Sequence, residues 1–495
     1  MEIVLLIMVV LVVGYLIGRS SNKSPASQQT KKEPLVIAKK EIRNSFNEVI
    51  EIAKAKPRKP KPENLLPENF ILTRDFENAI GMLETKDQSI FITGKAGTGK
   101  STLLRYFKSK TKKEFVILSP TGIAAINVQG QTIHSFFKLP PTLITEHTNL
   151  YDKDRVEILS KLKMIIIDEV SMVRADIMDG IDRSLRIHRK SQLPFGGLQM
   201  VFFGDLYQLP PVVVGDELKM HFSIVYNSPY FFSAKVFQQL KFPTIELQQV
   251  FRQKDKKFID LLNNVRAGNS FASDLSLLNT RVVPDFTPAL RDLFITLSTT
   301  NVIADKENTR RLNELPSLVF TYLAVVTGTF ERNSYPTSDT LVLKKGAQVM
   351  LIKNDPGRRW ANGTIATIKK IGQDKIEIDL NGTIHEVKKD VWELIEYIYN
   401  KEEKKIEPVI KGTFEQYPLK LAWAVTIHKS QGQTFDQVVI DLGSGAFAHG
   451  QTYVALSRCT SFEGIILKQT IKSRDIILDR QVQDYMKLAP TNLNI

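Results

Sequence analysis

The run Gly94-Lys95-Ala96-Gly97-Thr98-Gly99-Lys100-Ser101-Thr102 sets glycines, a lysine and a hydroxyl at the spacing G-x-x-x-x-G-K-[ST]. Such glycines let backbone N–H groups close around phosphate oxygens at a helix N-terminus. Lys100 then reaches the β and γ oxygens, and the Ser101 hydroxyl ligates Mg2+. This is nucleoside triphosphate chemistry, with ATP the expected cofactor; hydrolysis needs more groups. Met164-Ile-Ile-Ile-Asp168-Glu169 ends an apolar run in two carboxylates. Asp168 is suited to hold the metal, directly or through water, and Glu169 to polarise the attacking water. Alone, such a pair reads as a solvated edge; downstream of a phosphate loop it reads as catalytic. The stretch from Gln199 to Pro211 (QMVFFGDLYQLPP) is a third strand-to-loop transition. Its Gln208 is neutral and both donates and accepts, which suits sensing a γ-phosphate or its water. Phe251-Arg252-Gln253 and Val454-Ala-Leu-Ser457-Arg458 each set an Arg near an apolar element. An Arg reaching across a cleft stabilises charge on a transferring phosphate and couples lobe closure to hydrolysis. Each Arg alone reads equally as a surface ion pair.

Elements of an α/β fold must carry these groups. Ser89–Thr93 is a short apolar strand running into the Gly-rich loop, with a helix after it. Phe115–Ser119, Met164–Asp168 and Gln199–Gly204 read as further buried strands, so a parallel sheet covered on both faces is predicted. A second set follows: Leu293–Leu297, a helix through Asn301–Leu312, Gln437–Leu442 and Gly464–Leu467. Between them Gly346–Thr413 differs, with short alternating runs and turn signals at Asn362-Gly363 and Asn381-Gly382. That pattern predicts a small β-barrel or sheet inserted into the second lobe. No internal repeat is present.

The 495 residues predict roughly two to four domains. An apolar share of 43% and a charged share of 24% fit ordinary globular protein. The net charge of +14 favours polyanionic partners, since Lys and Arg displace counterions from phosphates. Cys459 is the one cysteine, so no internal disulfide forms, and no Cys/His cluster has zinc spacing. The run from Ile3 to Ile17 is nearly all apolar, and Gly18 and Arg19 close it. A span typically needs about 20 residues, with roughly 17 as a lower limit, so residues 3–18 read as a short single-pass anchor. A cleaved signal peptide fits less well, because Glu2 is acidic and Ser20-Ser21-Asn22-Lys23 is not A-x-A-like; a buried core helix is the third reading. Arg19, Lys23, Lys31 and Lys32 follow, and the positive-inside rule leaves the rest of the chain in the cytoplasm, held to the inner face of the membrane. Residues 19–65 read as a basic flexible linker, which holds DNA or anionic headgroups or is a plain tether.

Taken in order, GKAGTGKST, PTGIAAINVQGQTIHSFF, IIIDEVSM, FGGLQMVFFGDLYQLPPV, VFRQ, AVTIHKSQGQTFDQVVIDL and YVALSR resemble the RecD-like, petite-integration-frequency (Pif) branch of superfamily 1 helicases. Asp182-Arg-Ser-Leu-Arg186, then Pro194-Phe-Gly-Gly197, resembles that branch's own signature. The likeness covers residues 66–482. It implies a first RecA-like lobe at 66–243, a second at 244–345 and 414–482, an SH3-like insert at 346–413 and a tail at 483–495. It further implies ATP-dependent unwinding of DNA, five-prime to three-prime, on single strands and tailed duplexes, by a monomer serving genome maintenance. Carried over by position, Lys100, Ser101, Asp168, Glu169, Gln208, Arg252, Arg458 and Gly432 fall in the nucleotide site. Thr121, Gly122, His134, Ser135 and Phe136, then His428, Lys429, Ser430 and Gln431, line the single-strand path. Phe136 and Phe137 stack on bases or belong to the core. Residues 138–155 fall where the family carries a small wedge hairpin. One departure is that Phe76 stands where the family reads adenine with a Gln. The rival reading is a membrane-tethered, DNA-stimulated ATPase switch or scaffold without unwinding.

Overall fold

Apolar runs without polar alternation form strands only where both faces are covered. In the computed structural model of the chain, four such runs, β1 (Ile90–Gly94), β2 (Phe115–Ser119), β4 (Met164–Ile167) and β5 (Gln199–Phe203), and two short polar-containing strands, β3 (Gln131–Thr132) and β6 (Thr244–Leu247), pair into one wholly parallel sheet. Their order is β3-β2-β4-β5-β1-β6. The structure describes residues 58–60, 66, 70–85, 87–289 and 292–488. The helices Arg74–Thr85 and Lys100–Lys110 cover one face through Phe76, Leu83, Leu103 and Phe107. The helix Ala175–Arg189 covers the other through Met178, Ile181 and Leu185. Because β4, β5 and β1 are neighbours, the loops at their C-terminal ends emerge side by side, where parallel α/β sheets place their ligands.

The second lobe is built on four parallel strands ordered β18-β7-β19-β20, with the helix Asn301–Glu314 after β7. They are β7 (Ile295–Ser298), β18 (Ala424–Thr426), β19 (Val438–Asp441) and β20 (Ile465–Leu467). Between β7 and β18 lie the antiparallel strands β8 (Val319–Leu323), β9 (Val325–Gly328), β10 (Thr340–Lys344), β11 (Gln348–Leu351), β12 (Ile365–Ile371), β13 (Ile376–Leu380), β14 (Thr383–Val387), β15 (Asp390–Asn400), β16 (Lys405–Gln416) and β17 (Leu419–Leu421). They form the sheets β14-β13-β12-β11-β17, β15-β16-β9 and β10-β8.

Several expected boundaries need correction. Residues 244–247, assigned to the second lobe, are the edge strand β6 beside β1. The β insert, placed at 346–413, runs from β8 to β17, because β11 needs a second partner strand that the chain supplies only at Leu419–Leu421. The tail expected at 483–495 starts within a helix, Arg480–Leu488. Val482 of that helix lies in the first-lobe core, and Tyr485 stacks on Phe232 with ring centroids 4.3 Å apart.

The wedge hairpin at 138–155 is absent too: the segment is a loop closing in a short 3-10 turn, Lys153–Arg155. Side chains of the helix Ala175–Arg189 fix it. Arg183 donates to the carbonyls of Thr145, Glu146 and Thr148 (2.6, 2.8 and 3.1 Å), and Asp176 accepts the Ile144 N–H at 3.0 Å. These bonds satisfy backbone groups that a hairpin would pair internally. Asp182 of the same helix accepts from Arg186 and from the Phe195 N–H, so the Asp182–Gly197 signature is structural.

The hairpin β15–β16 reaches the first lobe. Tyr397 is buried there; its hydroxyl accepts the Ile117 N–H (3.1 Å), and Arg155 pairs with Glu396 at 2.9 Å. The expected anchor at 3–18 lies outside the described residues, as does the linker at 19–65 apart from 58–60. Among the described residues no helix is long and apolar enough to cross a membrane.

Candidate functional site

The glycine-rich loop joins β1 to the helix Lys100–Lys110, and its lysine is folded back: Lys100 Nζ donates to the Gly94 carbonyl at 2.6 Å and the Lys95 carbonyl at 3.2 Å. Ser101 is exposed in the first turn of that helix and Thr102 is half-buried. Gly97 has a left-handed φ of 83°, and a Cβ there would lie 2.6 Å from Arg252 Cβ, so only glycine allows this approach. The Phe251 N–H donates to the Gly97 carbonyl at 2.8 Å. Thr98 closes the loop on itself through the Lys95 carbonyl, and the Ala96 N–H donates to the Tyr453 hydroxyl at 2.9 Å.

Asp168 and Glu169 follow β4, next to this loop. Burial first, and the Glu169 charge second, raise the Asp168 carboxyl to about 7. Burial also raises Glu169, against the pull of Lys100 and Arg458. Glu169 has φ 53°, in the left-handed region, a strain of about 1–3 kcal/mol that sharp turns at functional loops sustain. Gln208, after β5, donates to Asp205 at 3.2 Å and faces Gln431 at 3.5 Å, the outer limit of a hydrogen bond.

Arg252 and Arg458 are brought together at this seam. Arg252 donates to the Ser457 carbonyl at 3.0 Å. Arg458 is 1% exposed and donates to the carbonyls of Val454, Ser430 and Gln433 and to the Ser457 hydroxyl. Among the described residues neither has a carboxylate partner. Burial, then the Arg252 charge, pushes Arg458 down to about 9, and burial lowers Arg252. Burial also lowers Lys100, opposed by Asp205 and Glu169. Three buried or half-buried cations thus converge on one cleft, and although Glu169 and Asp205 act on Arg458 at longer range, neither arginine has a carboxylate within ion-pair distance among the described residues, an arrangement that leaves room for a polyanion.

Comparison with known proteins shows the family. Residues 74–275 match the family profile of PIF1-like helicases. The ATP-dependent DNA helicase Pif1 of Bdellovibrio bacteriovorus is 33% identical over 437 residues, covering 86% of this chain and 93% of that protein. The chain belongs to the PIF1-like helicase family. The human ATP-dependent DNA helicase PIF1 is 34% identical, but the chain spans only 63% of its length. The crystal structure of Bacteroides Pif1 with ADP-AlF4 superposes with a TM-score of 0.79 at 35% identity, over 85% of this chain and 97% of that one. The same helicase bound to single-stranded DNA gives 0.61 at 36% identity, with the same coverage.

The family's strand-path positions divide in this structure. Thr121 is exposed and caps the helix Gly122–Asn127. Gly122 is covered by Ser334 of the β insert. His134 and Ser135 are half-buried, and burial lowers His134. His428 is half-buried and Lys429 exposed. Three of these positions do not face outward. Phe136 is 0% exposed, edge-on to Phe137 and Tyr397, so it packs the core and cannot stack on a base. Ser430 is 0% exposed and its hydroxyl donates to the Ile427 carbonyl at 2.7 Å, so it cannot face a strand. Gln431 turns toward Gln208 rather than outward. Gly432 follows it with φ 76° and lies outside the phosphate loop. Phe76 is 2% exposed and packs beneath Gly99, which rules out its reading a base edge.

Sequence reasoning missed five contributors. Gln253 is buried and donates to the Ser457 and Cys459 carbonyls (3.2 and 2.9 Å), binding the Arg252 segment to the Arg458 turn. Tyr453 bonds the phosphate loop across the seam. Phe251, 41% exposed beside Gly99, offers a ring face at the loop. Asp205 and Arg266 form a buried pair beneath Gln208. Phe251 and Tyr453 enter the sequence reading only as neighbours of Arg252 and of the Val454-Ala-Leu-Ser457-Arg458 run.

Proposed function

We propose that the chain is an ATP-dependent DNA helicase that translocates five-prime to three-prime on single-stranded DNA, hydrolysing ATP between two RecA-like lobes and carrying an SH3-like insert. The observation that carries this reading is the seam itself. Lys100 from one lobe acts on Asp168 and Glu169, Arg458 from the other acts on Glu169, and among the described residues neither Arg252 nor Arg458 makes a direct ion pair. A triphosphate entering the cleft supplies the missing negative charge, and closure on it draws Arg252 and Arg458 to the transferring phosphate. Glu169 holds the attacking water and Gln208 orients it. Ser101 and Asp168 would hold Mg2+, whose charge would offset the negative charge of the triphosphate. The raised Asp168 carboxyl fits such a place, a buried acid short of positive charge. The base meets the exposed face of Phe251, and stacking there accepts any base, which replaces the adenine reading lost at Phe76.

Thr121, His134, Ser135, His428 and Lys429 track the strand's phosphates without reading bases. Residues 3–18 hold this motor to the inner face of the membrane, a point that fractionation with and without that segment decides. Relatives carrying the name helicase speak against the non-unwinding switch. The decisive experiment is strand displacement on five-prime and three-prime tailed duplexes with several nucleotides. Displacement of only the five-prime tailed substrate is expected. Strong ATPase stimulation by single-stranded DNA without displacement would sink the helicase reading. Lys100→Ala should keep DNA binding and lose turnover.

A further inference from the structure

Arg266 belongs to none of the motifs above. It lies near the end of the second-lobe helix Lys256–Ala267, whose Phe258, Leu261 and Val265 fill that lobe's core. Its guanidinium leaves that lobe and enters the first, where it is 8% exposed. Nη2 donates to Asp205 Oδ1 at 3.1 Å and Nη1 to Glu246 Oε1 on β6 at 3.3 Å. The guanidinium stacks on the Tyr207 ring, 4.1 Å from its centroid.

Asp205 passes this grip on. Its Oδ1 also accepts the Tyr207 N–H at 3.2 Å, its Oδ2 accepts Gln208 Nε2 at 3.2 Å, and its carbonyl accepts the Gln208 N–H at 3.0 Å. Every polar contact that sets the Gln208 side chain, apart from the 3.5 Å approach of Gln431, therefore runs through a carboxylate held by Arg266. Burial works to raise the Asp205 carboxyl, but Arg266 and then Lys100 outweigh it and hold it below the usual carboxylate range. One buried anion thus lies between the phosphate-loop lysine and a cation from the opposite lobe. A buried ion pair is weak evidence for stability, because apolar residues of similar volume often do as well. This pair crosses the seam at the one residue that orients the attacking water, which gives it a use beyond stability.

We propose that Arg266 is a positioning residue that holds Gln208, through Asp205, in the orientation hydrolysis requires, so that the γ-phosphate sensor is set only when the second lobe is seated. The proposal rests on the reading of Gln208 given above. It is tested in the full chain by single-stranded-DNA-stimulated ATPase on Gln208→Ala, Arg266→Gln, Arg266→Lys and the double variant Gln208→Ala with Arg266→Gln. Arg266→Gln should lower kcat by about tenfold or more with KM for ATP within about twofold, as expected for a group acting only at the transition state. In the Gln208→Ala background the same change should lower kcat by less than about twofold, because the two act as one unit. Arg266→Lys keeps the charge but not the two-pronged grip and should recover part of the loss. Should Arg266→Gln not fold, Arg266→Lys alone and on Gln208→Ala carries the same non-additivity test. Multiplying losses in the double variant would overturn the proposal. So would a turnover that falls in Gln208→Ala but not in Arg266→Gln, which leaves the reading of Gln208 standing. Unchanged turnover in Gln208→Ala overturns both.

Discussion

Replacing Arg458 with Gln should cost activity without costing stability. The charge is buried without a carboxylate partner, and its lowering from 12.5 to about 9 corresponds to on the order of 5 kcal/mol of penalty on the charged form. Against that stand donations to three carbonyls and a hydroxyl, each with a net value of about 1 kcal/mol, or roughly 4 kcal/mol together. The two sides nearly cancel, so Arg458→Gln should leave stability within about 1–2 kcal/mol. Breaking a buried ion pair, by contrast, loses about 3–5 kcal/mol. In a chain of this size the thermal midpoint should then move by no more than about 2–4 °C. Turnover behaves differently, because a guanidinium on the transferring phosphate contributes about 10³-fold or more. Differential scanning fluorimetry without nucleotide, beside DNA-stimulated ATPase, reads both. A midpoint lowered by about 10 °C with turnover intact would show that Arg458 is a structural residue, and the argument from unneutralised charge would fail.

Other expectations follow from single residues. Lys429→Ala should weaken single-stranded DNA binding and flatten its salt dependence by about one ion, whereas Ser430→Ala, whose hydroxyl faces inward, should change affinity by less than about twofold; fluorescence anisotropy across a salt series separates them. Phe251→Ala should raise KM for ATP by about tenfold through lost stacking while leaving relative use of the four nucleotides nearly flat, and a sharp preference for ATP in the parent chain would refute the sequence-tolerant platform. Burial, with the Lys429 charge second, pushes Lys420 down to about 8. Lys420 feels the charge of Lys429, a residue assigned to the strand path, so a strand phosphate bound there would favour its charged form and DNA binding takes up a proton above that pH. Affinity should then be level below pH 8 and fall above it, by at most about tenfold per pH unit, and Lys420→Met should remove the slope.

The first lobe was legible because its signals are local. The strands β1, β2, β4 and β5 are nearly continuous apolar runs, and the phosphate loop carries its chemistry in nine consecutive residues. The errors arose where structure depends on distant partners. Thr244–Leu247 is short, half-exposed and preceded by Pro243, so it reads as a boundary; pairing with β1 alone makes it a strand. Leu419–Leu421 joins the inserted sheet only through β11, about seventy residues back in the chain. Phe136 and Phe137 carry the same apolar signature whether they face a base or Tyr397, and only the arrival of hairpin β15–β16 decides. Ser430 sits in a run of polar residues, His428 to Gln431, and nothing local shows that its hydroxyl turns back to Ile427.

The same distinction explains why the chemistry of the cleft was easier to read than its coupling. A phosphate loop, a strand-end carboxylate and an arginine are each recognisable by type, since their reactivity belongs to the side chain. What joins the lobes has no such signature. Tyr453 acts through a hydroxyl on a backbone N–H, Gln253 through two carbonyls, and Arg266 through a carboxylate that is itself only a second contact of Gln208. Even Gly97 and Gly450 belong to this class: the first lets Arg252 lie against the phosphate loop, and the second lets the Tyr207 and Gln208 carbonyls approach. Each of these residues gains a role only when the opposite lobe is present. Substitutions along the seam should therefore leave each lobe folded while lowering DNA-stimulated turnover, a loss that differential scanning fluorimetry beside ATPase separates from unfolding.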